Sequence, residues 1–303
     1  MEESTELRKI IDRVRVEPGS KVELGRYPST WPELEGHAYA GLGLSKKNAD
    51  ELLAKSQNEI SDSQEVFWAD NRFALLIILQ GMDASGKDGI IKHVMAGVNP
   101  QGCRVTSFKA PTAEEVDHDF LWRCVRTMPE KGQIGIFNRS YYEEVLVVKV
   151  HPGFLSNQRL PEVKYDQQFW DLRYRSINDL ERHLVRNGTI VIKFFLNISK
   201  EEQRKQLLER TDQPEKLWKF NPNDVKEREL WPQYMEAYRE MLEATSTEQC
   251  PWYVLPADQK WLSRVLAALI VSSEIKRLGL KFPEPSAEYL KAVEEARSKL
   301  MKG

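Results

Sequence analysis

The chain reads as an α/β protein: a parallel sheet flanked by helices, with a helical insertion acting as a lid. Three observations predict this. Residues 73–79, FALLIIL, form an unbroken apolar run, as strands buried on both faces of a parallel sheet do. A glycine-rich turn at 81–86 follows at once and opens a helical segment. Further short apolar runs at 104–108, 134–137, 189–196 and 252–255 alternate with helical stretches, and that alternation favours a parallel sheet joined by crossover helices.

The elements follow in order. Residues 1–45 are expected to be an irregular extension, punctuated by Pro18, Gly19, Pro28, Pro32, Gly36, Gly41 and Gly43. A helix is expected over 46–69, carrying Leu52, Leu53, Ile60, Val66, Phe67 and Trp68. After the first strand and its turn comes a helix to about Gly97, and 112–127 form a helix with Leu121 and Trp122 on its apolar side. Phe169, Leu172, Leu180 and Leu184 mark a long helix over 164–186, with Gly188 just past its end. Helices at 199–210, 224–244 and 261–275 and a surface helix at 286–301 complete the pattern. The domain reading is an extension (1–45), one core domain (46–280) with a mobile lid at about 199–223, and a C-terminal tail (281–303).

Composition narrows the function. Hydrophobic residues make up 41% of the 303, charged residues 30%, and the formal net charge is -2. Such a balance gives no sign of a nucleic-acid or membrane partner, so any polyanion site must come from local clustering of Lys and Arg. Three cysteines, none in a CxxC pair, argue against a zinc site or disulfide framework and for a reducing compartment. The N-terminus lacks an apolar signal segment, and no apolar run reaches the ~18 residues of a membrane span. The expected location is cytoplasmic.

The sharpest motif is GMDASGK at 81–87. It fits the G-x-x-x-x-G-K part of the P-loop pattern in the required setting, after a strand and before a helix. Gly81, Met82, Ala84, Ser85 and Gly86 would supply backbone N–H groups that converge on a phosphate, with the helix dipole behind them. Lys87 adds a movable charge for a phosphoryl oxygen. Two features depart from the common form: Asp88 stands where Ser or Thr usually holds Mg²⁺, and Asp83 places a carboxylate inside the anion cradle. That carboxylate suits the site if Mg²⁺ lies between it and the phosphates, or if it takes a proton during transfer. Otherwise Asp83 is a turn-capping residue and Asp88 a first-turn helix acid.

A second informative stretch is GIFNRSYYEE at 135–144. A buried strand ends in Asn138, where P-loop enzymes usually place an Asp. Arg139 follows and can reach a phosphoryl oxygen with two donors. Glu143 or Glu144 would supply the metal charge that Asn138 lacks, with Glu144 the chosen candidate. A solvated helix face is the plainer reading of these acids, more so for Glu143.

Residues 199–223 mix Lys and Arg with acids and prolines. Arg204 and Arg210 are the candidates for closing over phosphate and excluding water, and Trp218 for touching a base. Glu201 and Lys205 are expected to pair along the helix. Lys109 and Arg123, with Arg126, would extend the basic track. His93, His118, His151 and His183 form no metal spacing and read as structural.

Taken together, GMDASGKDG (81–89), SFKAPT (107–112), HDFLWR (118–123), IGIFNRSYYEEVLV (134–147), SKEEQRKQLLERTDQPEKLWKFNPND (199–224) and PWYVLPADQKW (251–261) resemble the polyphosphate kinase 2 family, P-loop polyphosphate:nucleotide phosphotransferases, over about 45–280. The resemblance implies a thymidylate-kinase-like core, Mg²⁺ dependence, a polyphosphate chain in a basic channel, and AMP, ADP and ATP as nucleotide partners. It also implies that Asp83 and Lys87 are essential, that Arg139 and a lid arginine (Arg210) bind the phosphoryl chain, and that the protein is a homo-oligomer, dimer or tetramer. The FNRS form with Asn138 is similar to the branch that phosphorylates both AMP and ADP. Val125 departs from the pattern, since relatives often carry His there. Competing readings are an ATP-dependent nucleotide kinase and a polyphosphate-binding protein with an inactive P-loop.

Overall fold

Five strands form one parallel sheet: β1 (Ala74–Gln80), β2 (Cys103–Ser107), β3 (Ile134–Asn138), β4 (Thr189–Asn197) and β5 (Trp252–Pro256), in the order β2-β3-β1-β4-β5. The computed structural model describes residues 2–31, 44–161 and 164–302. β1 is the middle strand and every one of its residues is buried, which accounts for the apolar run. Each Leu or Ile buried there contributes about 1.5–3 kcal/mol. Gln80, at the C-terminal end of β1, is equally buried but polar, and it marks where the core gives way to the site.

Helices flank the sheet in two packed groups: α2 (Ala49–Asp70), α3 (Lys87–Val94) and α11 (Lys260–Arg277), then α7 (Gln167–Arg186) and α10 (Trp231–Thr245). Inside the second group lies a charged cluster. Lys193 of β4 is fully buried; its Nζ donates to Glu181 Oε2 at 2.7 Å, to the Tyr142 hydroxyl at 3.0 Å and to the Thr245 carbonyl at 2.7 Å. Glu181 Oε1 accepts from the hydroxyls of Tyr141 and Tyr142 at 2.9 and 2.7 Å. A buried charge survives only when paired and hydrogen-bonded in this way, and the network fixes the chain just after β3.

Several expectations need correction. The extension is not irregular at its start: Glu2–Val14 form α1, which buries Ile10 and Val14, and Val16 N–H then donates to the Trp252 carbonyl at 2.8 Å. Leu7, Ile10, Ile11 and Val14 are a helical stripe that the later prolines and glycines obscured. Pro32, Gly36, Gly41 and Gly43 lie outside the described residues. The helix expected over 112–127 is two, α4 (Ala113–Asp117) and α5 (Trp122–Val125), parted by an extended His118 and restarted where Asp119 Oδ1 accepts from Leu121 N–H at 2.9 Å. The helix expected over 224–244 is also two, α9 (Pro222–Glu229) and α10, broken at Leu230 because Pro232 lacks the N–H that a continuous helix requires.

Between β4 and α10 lie α8 (Lys200–Asp212), a 3-10 helix (Pro214–Lys219) and α9, so the helical insertion runs past 223 to Glu229. The tail helix α12 (Ala287–Leu300) is exposed along its whole length. Among the described residues no helix is long and apolar enough to cross a membrane.

Candidate active site

The strand order reverses at β1, whose neighbours β3 and β4 carry the chain outward in opposite directions, and open parallel sheets bind ligands at such a switch point. The turns leaving β1 and β3 meet there. In the first, Gly81 has φ +153°, and a Cβ on it would lie 2.9 Å from the Leu196 carbonyl oxygen, so only glycine fits. Gly86, at φ +100°, starts α3. Ala84 sits at φ +64°, a conformation uncommon for a side-chain-bearing residue. Lys87, the first residue of α3, is buried and donates from Nζ to the carbonyl oxygens of Gly81 and Met82 at 2.7 and 3.0 Å. Burial, and then the Arg139 charge, lower its pKa to about 8.

The second turn begins at Arg139, also left-handed at φ +64°, whose N–H donates to the Leu79 carbonyl at 3.0 Å. This bond joins the ends of β1 and β3. The Arg139 guanidinium forms an ion pair with Asp83 and lies 3.5 Å from Glu143 Oε2. Burial pushes the Asp83 carboxyl up, but Arg139, Lys87 and Arg210 outweigh it and hold it below the ordinary carboxylate range. Glu143 then Asp83 stabilise the charged form of Arg139. Asn138 Nδ2 donates to Asp88 Oδ1 at 2.9 Å.

A cavity of about 560 Å³ opens from these turns. Gly81, Met82, Asp83, Lys109, Arg123, Arg139, Glu143 and Glu144 line it, and an apolar portion includes Phe120, Val147, Val148 and Phe154. Arg123 is anchored by a bond from Nη1 to the Lys109 carbonyl at 2.8 Å, by Glu115 at 3.6 Å and by the face of Phe108. His118 stacks on Trp122 at 3.8 Å and also lines the cavity. Ala84, Ser85 and Gly86 of the loop, Lys87 and Asp88 at the start of α3, and Asn138 at the end of β3 adjoin it without lining it.

Neither Glu143 nor Glu144 is a solvated helix face; their side chains are 16% and 5% exposed. Glu144, the expected metal acid, is paired with Arg173 at 3.1 Å and with Gln158 Nε2 at 2.9 Å. Glu143 is the acid beside the loop. Turning the Gln80 amide over satisfies both its ends: Nε2 then donates to Glu143 Oε1 at 3.0 Å, and the oxygen accepts from Ser140 N–H at 3.1 Å. Burial pushes the Glu143 pKa up, against Arg139 and Lys87. Glu143 is thus the acid beside Arg139 and the loop, and Glu144 the acid beside Arg173. Among the described residues no three His, Cys, Asp or Glu side chains form a metal cage. One or two carboxylates do fit Mg²⁺, which takes its remaining ligands from phosphates and water.

The residues expected in a lid divide. Arg210 lies 3.5 Å from Asp224 Oδ2 and donates from Nη1 to the Lys219 carbonyl at 3.3 Å. Asp224 lines the cavity, and burial, reinforced by Asp83, raises its pKa to about 6. Arg204 instead pairs with Glu201 at 2.7 Å on the open surface, and Lys205 pairs with Glu202 rather than Glu201. For Lys205 the i,i+3 acid is taken over the i,i+4 one, whose carboxylate is held by Arg204. Arg126 lies over Trp122 at the surface, and Trp218 is 78% exposed. Asp224, Gln203, Gln80, Tyr238 and Glu227 went unnoticed in the sequence. The Asn221 cap starting α9 was the available signal for Asp224; nothing local marked the others.

The polyphosphate kinase 2 family matches residues 43–281. The chain is 47% identical, over 95% of its length and 97% of the relative's, to the ADP-polyphosphate phosphotransferase of Rhodopseudomonas palustris. It is 42% identical, over 93% of its length and 99% of the relative's, to the AMP/ADP-polyphosphate phosphotransferase of Meiothermus ruber. The crystal structure of polyphosphate kinase 2 from Arthrobacter aurescens superposes with a TM-score of 0.79 at 37% identity, covering 92% of this chain and 95% of that one. With the P-loop, its acid and its arginine at the switch point of a parallel sheet, this chain belongs to the polyphosphate kinase 2 family.

Proposed function

We propose that the protein transfers the terminal phosphoryl group of inorganic polyphosphate to AMP and ADP, and runs in reverse from ATP. The observation that carries this is the ion pair of Asp83 with Arg139 on the wall of a cavity with an apolar end, with buried Lys87 close enough to help hold the Asp83 carboxyl ionised. A phosphate chain needs the cations, and a nucleoside needs the apolar space.

Transfer is in line, and catalysis consists of positioning and charge neutralisation. Lys87 and the loop N–H groups take phosphoryl oxygens. Arg139 offers two parallel donors on one face of its fork. Asp83, kept ionised by Arg139, Lys87 and Arg210, would hold Mg²⁺ together with Glu143. Mg²⁺, when bound, neutralises charge shared between adjacent phosphoryl oxygens. For Arg210 of α8 to exchange Asp224 of α9 for phosphate, α9 shifts against α8, and closing of this segment excludes water. A reducing cytoplasmic setting suits the three free cysteines. Assembly into a dimer or tetramer belongs to this reading, supported by exposed Tyr289, Leu290 and Val293 on α12.

The test is a Mg²⁺-dependent assay of AMP, ADP, GMP and GDP, each with long-chain polyphosphate. Phosphorylation of AMP or ADP by polyphosphate is expected. Turnover with ATP as donor but none with polyphosphate would replace this reading with an ordinary nucleotide kinase.

A further inference from the structure

Gln203 lies on α8 with 1% of its surface exposed, and both ends of its amide are bonded. Nε2 donates to the Asp83 carbonyl oxygen at 3.0 Å, and Oε1 accepts from Arg228 Nη1 at 3.0 Å. The neighbours fix its orientation, because a guanidinium only donates and a carbonyl only accepts. Arg228, on α9, also donates to the Lys200 carbonyl at the start of α8. One buried amide thus ties both lid helices to the P-loop backbone.

We propose that Gln203 is a positioning residue for phosphoryl transfer, setting the orientation of the Asp83–Ala84 peptide, with Arg228 holding Gln203 in place. The proposal rests on the reading of 81–87 as the phosphate cradle. A trans peptide points its carbonyl and its N–H in opposite directions. With the Asp83 carbonyl drawn to Gln203, the Ala84 N–H is turned away from α8. That N–H has no hydrogen-bond acceptor among the described residues, so it is a donor ready for a phosphoryl oxygen. Ala84 occupies φ +64°, where a non-glycine residue is disfavoured; an outside contact is needed to hold the peptide there. Rotation of this peptide would withdraw one cradle donor and shift the Asp83 carboxylate against Arg139. The relay also joins lid to chemistry: when α9 parts from α8, Gln203 loses Arg228.

The experiment is steady-state kinetics with polyphosphate and AMP for Gln203→Met, Gln203→Glu, Arg228→Met and the double variant Gln203→Met/Arg228→Met, beside Lys87→Ala. Met keeps the length and the packing but loses both bonds. Glu keeps the acceptor for Arg228 and replaces the donor to Asp83 with an anionic oxygen that repels its carbonyl. Each Gln203 variant is expected to lower kcat by about tenfold to a hundredfold, the scale of a displaced or lost donor, with the KM for AMP and the melting temperature close to wild type. Arg228→Met should lose less, and the double variant should be no worse than Gln203→Met, since the two residues act through one relay. Wild-type kcat in both Gln203 variants, with or without a lowered melting temperature, overturns the proposal. So do losses that multiply in the double variant. If Gln203→Met does not fold, Gln203→Glu carries the test. Full activity in Lys87→Ala would remove the cradle reading itself, so the two failures are distinguishable.

Discussion

Lys87 Nζ donates to the Gly81 carbonyl oxygen at 2.7 Å, across the loop from the start of α3 to the end of β1. Together with the bond to Met82, this uses two of the three ammonium donors and keeps the side chain under the loop. The charge is therefore held beneath the loop proposed to cradle the phosphoryl oxygens. Lys87→Ala should lower kcat by about a hundredfold to a thousandfold, the usual loss for one donor acting on transition-state charge, while circular dichroism and melting stay near wild type. Retention of more than about a tenth of wild-type kcat would argue that the loop does not grip the transferred group.

The lowered pKa of Lys87, about 8, sets an alkaline limb. The protonated form is lost as pH rises through that value, so kcat/KM for polyphosphate should fall above about pH 8. Bound phosphate stabilises the ammonium, so kcat should hold to higher pH. Stability runs the opposite way. Between about 8 and the ordinary value of 10.5 the unfolded chain binds more protons, so the contribution of this lysine to folding becomes less unfavourable as pH rises through that window. Initial rates and melting curves over the same pH range check both signs; a flat kcat/KM profile would contradict the assignment.

How much of this was legible in the sequence depends on the range of the interaction. FALLIIL became β1 and GMDASGK became its turn because both signals are local. Pro232 and the stripe on α1 were equally local but were masked by stronger neighbouring patterns. The roles of Glu143 and Glu144 were not legible. The two are adjacent on a 3-10 helix, and only the partners brought by β1 and α7, Gln80 and Arg173, separate them. Gln203 was invisible for the same reason, since its bonds reach 120 and 25 residues along the chain.

That separation can be tested with metal. Asp83→Asn and Glu143→Gln should each raise the Mg²⁺ concentration needed for half-maximal rate. Glu144→Gln should leave the Mg²⁺ dependence unchanged but destabilise the fold by about 3 kcal/mol, because a mostly buried Arg173 loses its counter-charge. Mg²⁺ titrations and denaturant curves on the three variants decide it. A shifted Mg²⁺ dependence in Glu144→Gln alone would restore Glu144 as the metal acid.

Lys193→Met should cost about 3–5 kcal/mol, since it leaves the Glu181 carboxylate buried without its cation. Neutralising both partners removes the stranded charge. Lys193→Met/Glu181→Gln should therefore be more stable than Lys193→Met alone, read from the urea midpoint. A double variant less stable than the single would show that the hydrogen bonds from Tyr141 and Tyr142, rather than the charge pair, dominate this core.

Asn138 ends β3 against the first turn of α3. Its Nδ2 donates to Asp88 Oδ1 at 2.9 Å, so the neutral amide neighbours an acid that stands where P-loops usually carry Ser or Thr. Asn138→Asp would set two carboxylates against each other at that distance. The pair becomes tolerable only with a cation between them or with one proton shared. The variant should therefore bind Mg²⁺ more tightly, reach full rate at a lower Mg²⁺ concentration, and hold that ion in one place. AMP and ADP present their acceptor phosphates at different distances from the base, so they must sit differently against the same donor. An amide, able both to donate and to accept, suits either placement; a fixed anion with its cation favours one. Wild type is expected to phosphorylate both nucleotides. In Asn138→Asp the ratio of kcat/KM for the two acceptors should change more than their sum, at fixed polyphosphate and saturating Mg²⁺. An unchanged ratio would show that Asn138 serves only to hold Asp88, and selectivity between the acceptors would then have to come from the far end of the cavity.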